Sequence, residues 1–215
     1  MKNNAIILGD SYSTFKGYIP EEYAAYYSEE GRPETDVTKV EQTWWHQVFE
    51  KAGLNLVLNN SWSGSTIGHT YYGGVDCSKT SSFIFRLRQL IENGFFEKNE
   101  IDTAFIFGGT NDSWCDAPLG EIKFADWEER DLFSVLPAIC YTLYLMRQTM
   151  PKAKIYCPIN TDLKPEITDC MKAACARYNI TPITFDKIDK KCDHPTIQGM
   201  KDIANSVMNA IKTAE

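Results

Sequence analysis

No apolar stretch in the chain approaches the roughly 20 residues needed to cross a bilayer, and the sequence holds no Cys-x-x-Cys pair, internal repeat, low-complexity tract or long linker. Positive charge is also scarce. With 22 Lys and Arg against 29 Asp and Glu, the formal net charge is −7, which argues against nucleic acid as a partner because phosphate binding needs a basic surface. The apolar run after Met1-Lys2-Asn3-Asn4 is too short for a signal-peptide core. A cytoplasmic protein is therefore expected, although a chain trimmed of a leader would read the same way. The absence of a membrane-facing amphipathic segment leaves no membrane partner to expect. The three histidines and seven cysteines show no zinc-ligand spacing, so no metal is expected. The odd cysteine count, with Cys140 and Cys157 in apolar surroundings, reads as free thiols and not as a disulfide framework.

What is present is one domain's worth of alternating strand and helix patterns, spanning residues 1–215. Candidate strands are Asn4–Leu8, Leu54–Asn59, Ile101–Phe107, Lys154–Pro158 and Pro182–Phe185. Helical periodicity is predicted over about 43–52, 82–93, 135–149, 165–178 and 196–212. Thr43 and Thr196 stand where N-caps belong, and Pro137 falls in a first helical turn, where its missing N–H does little harm. Five strand–helix units imply an α/β fold: a three-layer α/β/α sandwich around a five-stranded, mostly parallel sheet. Right-handed crossovers make the flavodoxin-like order 2-1-3-4-5 a common solution. Ligands bind such sheets beyond the carboxyl ends of the strands.

Four scattered residues would meet at that rim. Ser11, in Gly9-Asp10-Ser11, follows the first strand; Gly64, in Ser61-Trp62-Ser63-Gly64, follows the second. Asn111, in Gly108-Gly109-Thr110-Asn111-Asp112, follows the third, and His194 follows the fifth. A hydroxyl, an imidazole, a glycine N–H and a side-chain amide are what acyl transfer requires as nucleophile, base and oxyanion donors. Taken singly, each motif also reads as an ordinary turn or helix start. A cysteine nucleophile is disfavoured, because Cys192 lies only two residues from His194. Asp10 and Asp112 are expected to bond loop N–H groups.

At these residues the chain resembles the SGNH subgroup of the GDSL esterase/lipase family. Gly9-Asp10-Ser11-Tyr12-Ser13, Gly64, Gly108-Gly109-Thr110-Asn111-Asp112 and His194-Pro195 with Gly199-Met200 resemble four of its blocks, across nearly the whole chain. The resemblance implies Ser11 as nucleophile, His194 as base, and an oxyanion hole from Ser11, Gly64 and Asn111, without metal or organic cofactor. The family's acid, three residues before the histidine, is replaced here by Lys191. Three arrangements remain open: Asp193, Asp189, or a Ser-His dyad oriented by a backbone carbonyl or water.

Two long segments, Tyr12–Gln42 and Trp62–Ser82, follow site residues and are rich in aromatics. Of these residues and their neighbours, Trp62 and Trp114 are the expected substrate contacts, and His69 borders the same region. The expected activity is that of a serine esterase on small acyl esters, with a carbohydrate O-acetyl ester favoured as substrate. The alternatives are an acyl thioesterase or lysophospholipase, and a catalytically silent ligand-binding domain on the same fold. The sequence leaves the oligomeric state open.

Overall fold

In the computed structural model, which describes residues 3–213, the N-terminal apolar run becomes an interior strand whose successive side chains enter two different cores. In chain order the elements are β1 (Asn3–Gly9), α1 (Trp44–Ala52), β2 (Leu54–Ser61), α2 (Phe83–Glu92), α3 (Phe95–Lys98), β3 (Thr103–Phe107), α4 (Thr110–Trp114), α5 (Val135–Thr149), β4 (Lys154–Pro158), α6 (Pro165–Arg177), β5 (Thr181–Ile183), β6 (Lys190–Lys191), β7 (His194–Pro195) and α7 (Ile197–Thr213). The main sheet runs β2-β1-β3-β4-β5, and every neighbouring pair is parallel. This is the expected 2-1-3-4-5 order.

Strand side chains alternate between faces, and helices cover both, so apolar residues run continuously through the strands. Ile6, Leu8, Ala104, Ile106, Ile155 and Cys157 pack on one side with residues of α2, α5 and α6. Ala5, Ile7, Phe105, Phe107 and Tyr156 pack on the other with residues of α1 and α7. The helix caps follow their sequence signals: the Thr43 side chain accepts the His46 N–H, and the Thr196 hydroxyl accepts that of Gly199 at 3.1 Å. Boundaries shift modestly. Strand β3 begins at Thr103, after buried Ile101, and β5 ends at Ile183, with Phe185 packing on Phe107 from the following loop. Pro182 is tolerated because β5 is an edge strand. Helices α3 and α4 and the antiparallel β6–β7 pair were not in the sequence expectation. Among the described residues no helix is long and apolar enough to cross a membrane.

Sheet and loops are tied together at the carboxyl ends of β1 and β2 by one buried cation, Arg86 of α2. Its Nη1 donates to the Asn60 carbonyl and, at 2.7 Å, to Asn60 Oδ1. Its Nη2 donates to the Gly9 carbonyl at 3.2 Å and to Ser65 Oγ at 3.0 Å, and its Nε to the Ser81 carbonyl at 3.0 Å. All five N–H groups of the guanidinium thus have acceptors. The face of the group lies 4.6 Å from the Phe83 ring centroid. Removing the donors strands several buried acceptors, each costing about 1–3 kcal/mol. Arg86→Met is therefore expected to lower the unfolding free energy by about 3 kcal/mol or more, read as a reduced urea midpoint at unchanged slope. A loss below about 1 kcal/mol would show that the cation does not hold these ends together.

Candidate active site

Ser11 opens a short 3-10 turn, Ser11–Ser13, at the end of β1. Asp10 caps the turn by accepting the Tyr12 N–H at 3.0 Å, and its own N–H donates to the Phe107 carbonyl at the end of β3. Gly9 allows this crowding, since a Cβ there would stand 2.5 Å from Ser61 Oγ and 2.8 Å from Ser13 Cβ. Burial pushes the Asp10 carboxyl up to about 7.

His194 is carried by the β6–β7 pair, in which Lys191 and His194 face each other across a two-residue turn. Both turn residues, Cys192 (φ 47°) and Asp193 (φ 61°), are left-handed, as a type I′ hairpin requires. The imidazole Nε2 lies 3.0 Å from Ser11 Oγ, and Nδ1 lies 3.0 Å from the Cys192 carbonyl. A carbonyl oxygen only accepts, so Nδ1 carries the proton, and the neutral ring presents its Nε2 lone pair to the serine hydroxyl. Burial lowers the His194 pKa, and the Arg32 and Lys190 cations lower it further; the Cys192 bond and the Asp193 charge oppose them.

Neither candidate acid supplies a hydrogen bond to the ring. Asp193 occupies the tight turn, and its backbone carbonyl accepts the Tyr12 hydroxyl at 2.5 Å. The Asp189 carboxylate instead accepts the Thr196 hydroxyl at the start of α7. Lys191, at the family's acid position, reaches the Pro33 carbonyl at 2.7 Å. The partner of Nδ1 is thus a backbone carbonyl.

Asn111 stands in the first turn of α4, and its Nδ2 donates to the Ser65 carbonyl at 3.0 Å. The Tyr72 hydroxyl donates to its Oδ1 at 3.0 Å, which fixes the amide's orientation and leaves a second N–H on Nδ2. Asp112 accepts the N–H groups of Ile67 and Gly68 at 2.9 and 3.1 Å, so α4 and the loop after β2 are clamped together. Burial pushes this carboxyl up to about 6. Gly64 in that loop has φ 85°, which favours a residue without Cβ.

The expected substrate contacts flank these groups. The Trp114 ring centroid lies 6.3 Å from that of His194, and the side chain is exposed. Trp62 stacks on Tyr23 at 4.3 Å and lines a cavity of about 260 Å³ with Gly64, Tyr71, Val75 and Asp76. His69 does not join the Ser11–His194 pair; its buried ring sits 3.0 Å from Ser82 Oγ and 3.3 Å from Glu129. Among the described residues no cluster of three His, Cys, Asp or Glu side chains is placed to hold a metal ion.

Three residues near the site escaped the sequence reading. Tyr26 lies flat on the His194 ring, with centroids 3.6 Å apart and planes 3° from parallel, and the Arg32 guanidinium sits 4.4 Å from the Tyr26 centroid. Asn160, just beyond β4, donates to Thr110 Oγ1 at 3.0 Å and to the Tyr12 hydroxyl at 3.3 Å, while accepting from Lys190. Its position after a strand end was the available signal. Tyr26 had only its place in an aromatic-rich loop.

Comparison with known proteins gives this geometry a family. The family model described as GDSL-like Lipase/Acylhydrolase matches residues 3–211. A crystal structure from Bacteroides ovatus ATCC 8483, described as a GDSL-like lipase, is 39% identical with a TM-score of 0.90, over 99% of both chains. One from Bacteroides uniformis ATCC 8492, described in the same words, is 41% identical with a TM-score of 0.89, over 99% of this chain and 96% of that one. A family two carbohydrate esterase from Clostridium thermocellum in complex with cellohexaose shares the fold at 17% identity and a TM-score of 0.67, over 100% of this chain and 65% of its own. No curated protein matches the chain. The chain belongs to the GDSL-like lipase/acylhydrolase family of hydrolases.

Proposed function

We propose that the protein is a serine esterase that hydrolyses short acyl esters, with a carbohydrate O-acetyl ester as the favoured substrate class. The observation that carries this reading is the 3.0 Å approach of His194 Nε2 to Ser11 Oγ, with Nδ1 pinned on the Cys192 carbonyl. In the first step Ser11 Oγ attacks the ester carbonyl and its proton passes to Nε2. The oxyanion is met by the backbone N–H groups of Ser11 and Gly64 and by the free N–H of Asn111. Nε2 then protonates the departing alcohol. A water then gives a proton to Nε2 as its oxygen attacks the acyl carbonyl, and Nε2 passes that proton to Ser11 Oγ as the acid leaves.

The substrate class is supported by the site's surroundings. The cavity beside Gly64 is small, about 260 Å³, and Ser63, Asp76, Thr80 and Ser81 contribute to its lining. That lining suits a short acyl group or a hydroxyl-rich alcohol better than a long alkyl chain. Trp62, Tyr23, Trp114 and Tyr72 offer ring faces and edges at the rim, where a sugar can lie flat.

Wild type should show a serine-dependent burst with p-nitrophenyl acetate that Ser11→Ala abolishes; equal slow rates in both would instead indicate a silent binding module. In a panel of acetylated sugars, acyl thioesters and octanoate esters, acetates should exceed octanoates in kcat/KM by at least about tenfold. A preference for octanoate or thioester substrates would favour the lipase-like or thioesterase alternative.

Because neither carboxylate bonds to the imidazole, Asp189→Asn and Asp193→Asn should each keep kcat within about threefold of wild type, where loss of a triad acid costs about 10⁴. A loss of that size in either variant would restore the triad.

The base works only when neutral, so kcat/KM should rise as pH climbs through the His194 pKa. Since that pKa lies below the ordinary value of 6.5, the midpoint of the acid limb should fall below it too. A midpoint at or above the ordinary value would contradict a desolvated base.

A further inference from the structure

A serine hydrolase that lacks a triad acid must hold its imidazole by other means, and the Cys192 carbonyl fixes only one edge of the ring. Rotation about the Nδ1···O axis would still swing Nε2 away from Ser11. On the face of the ring lies Tyr26, 3.6 Å away and 3° from parallel. Tyr26 is fixed in turn. Its N–H donates to Thr14 Oγ1 at 2.9 Å, its ring meets Tyr27 edge-on at 4.9 Å, and the Tyr27 hydroxyl donates to the Pro195 carbonyl at 3.1 Å. Pro195 directly follows His194. The loop that carries Tyr26 is thus bonded to the strand that carries the base.

The Arg32 guanidinium lies 4.4 Å from the centre of the Tyr26 ring. One face of that ring is already covered by the imidazole, and two planar groups cannot share a face at these distances, so Arg32 occupies the other. Arg32 is oriented by Glu34, whose Oε2 accepts from its Nε at 3.1 Å. The result is a three-layer stack of guanidinium, phenol and imidazole. We propose that Tyr26 and Arg32 are positioning residues for His194: Tyr26 fixes the plane of the imidazole, and Arg32 fixes Tyr26.

Burial first, and then the nearby cations, hold the imidazole toward its neutral form. Arg32 faces it from the long loop and Lys190 from β6, and both oppose its protonation. The Asp193 charge and the Cys192 carbonyl favour protonation from the turn. The Tyr12 ring lies beside it, with centroids 5.6 Å apart, and its hydroxyl is committed to the Asp193 carbonyl. A conventional acid would stabilise the imidazolium and raise the pKa. This stack orients the ring while doing the reverse, so the protonated base returns its proton readily to the leaving alcohol.

The inference rests on the reading of Ser11 and His194 as the reacting pair, and the test separates the two. Tyr26→Ala should lower kcat by about 10- to 100-fold with KM within about twofold of wild type, as misalignment of a reacting group does. Tyr26→Phe, which keeps the ring, should remain within about twofold in kcat. The Arg32 side chain is 43% exposed, so Arg32→Gln keeps the proposal testable should Tyr26→Ala not fold. In Arg32→Gln the His194 titration, followed by the imidazole proton resonance and assigned against His194→Gln, should move upward, and Arg32→Lys should restore it. A Tyr26→Ala variant with unchanged kcat, or with an effect on KM alone, would overturn the positioning role; an unmoved titration in Arg32→Gln would overturn the electrostatic one. The titration needs no substrate. If wild type shows no serine-dependent turnover, the esterase reading fails while the stack is still decided by the resonance; if turnover is present and all the variants match wild type, only the stack fails.

Discussion

The site depends on a buried cation that, among the described residues, has no carboxylate in direct contact. Strands of a parallel sheet end with carbonyl groups that have left the ladder, and here those ends must also serve as the floor of a pocket. Arg86 answers both demands by donating to the Gly9 and Asn60 carbonyls while holding Ser65 and Ser81 from the neighbouring loops. A carboxylate partner would have satisfied the charge at one point only. Five neutral acceptors spread it over β1, β2 and the Trp62–Ser82 loop, and the fixed fork of a guanidinium imposes their relative geometry. Lysine, with three donors and no plane, could not do so. Removing the cation from water is costly, and burial accordingly lowers its pKa to about 10. It remains charged at neutral pH, and the turn that carries Ser11 and the loop that carries Gly64 are built on either side of it.

The same economy of carboxylates marks the Ser11–His194 pair. A carbonyl accepts a weaker hydrogen bond than a carboxylate does, so the Cys192 bond settles the tautomer of His194 but stabilises its protonated form less. The type I′ turn makes this arrangement unavoidable. It places the residue two before the histidine with its carbonyl toward the ring and spends Asp193 on the tip, where its own carbonyl bonds to Tyr12. Lys191, cross-strand from His194, points to the Pro33 carbonyl and binds the hairpin to the long loop. The hairpin, the loop and the base are therefore one mechanical unit.

Much of this was legible in the chain. The sheet order followed from five apolar runs separated by helical periodicity, and the four site blocks stood out because glycine and short polar residues interrupt the pattern just where strands end. Asp10 and Asp112 bond loop N–H groups as turn chemistry anticipates. The hairpin stayed hidden because two-residue strands have no period, and Cys-Asp is not the glycine-rich pair that announces such a turn. Nothing in the sequence reading singled out Arg86, although its spacing from Phe83 and its place beside Leu87 put it on the buried stripe. Tyr26 and Arg32 lie in a segment fixed by tertiary contacts alone, where neither periodicity nor composition selects one tyrosine among many.

The buried carboxyls complete the electrostatic design. Asp10 and Asp112 have folded-state pKa values raised to about 7 and about 6 from 3.8. A raised carboxyl stabilises the fold fully below its unfolded pKa and loses that contribution as pH rises through the folded value. Near neutrality, where the base is active, both groups therefore work against the fold. Each holds backbone N–H groups: Asp10 the Tyr12 N–H next to Ser11, and Asp112 the paired N–H groups of Ile67 and Gly68 in the loop after β2. Arg86 offsets part of that cost for Asp10, whose pKa its charge lowers. The cation that closes the strand ends thus also favours an ionised Asp10.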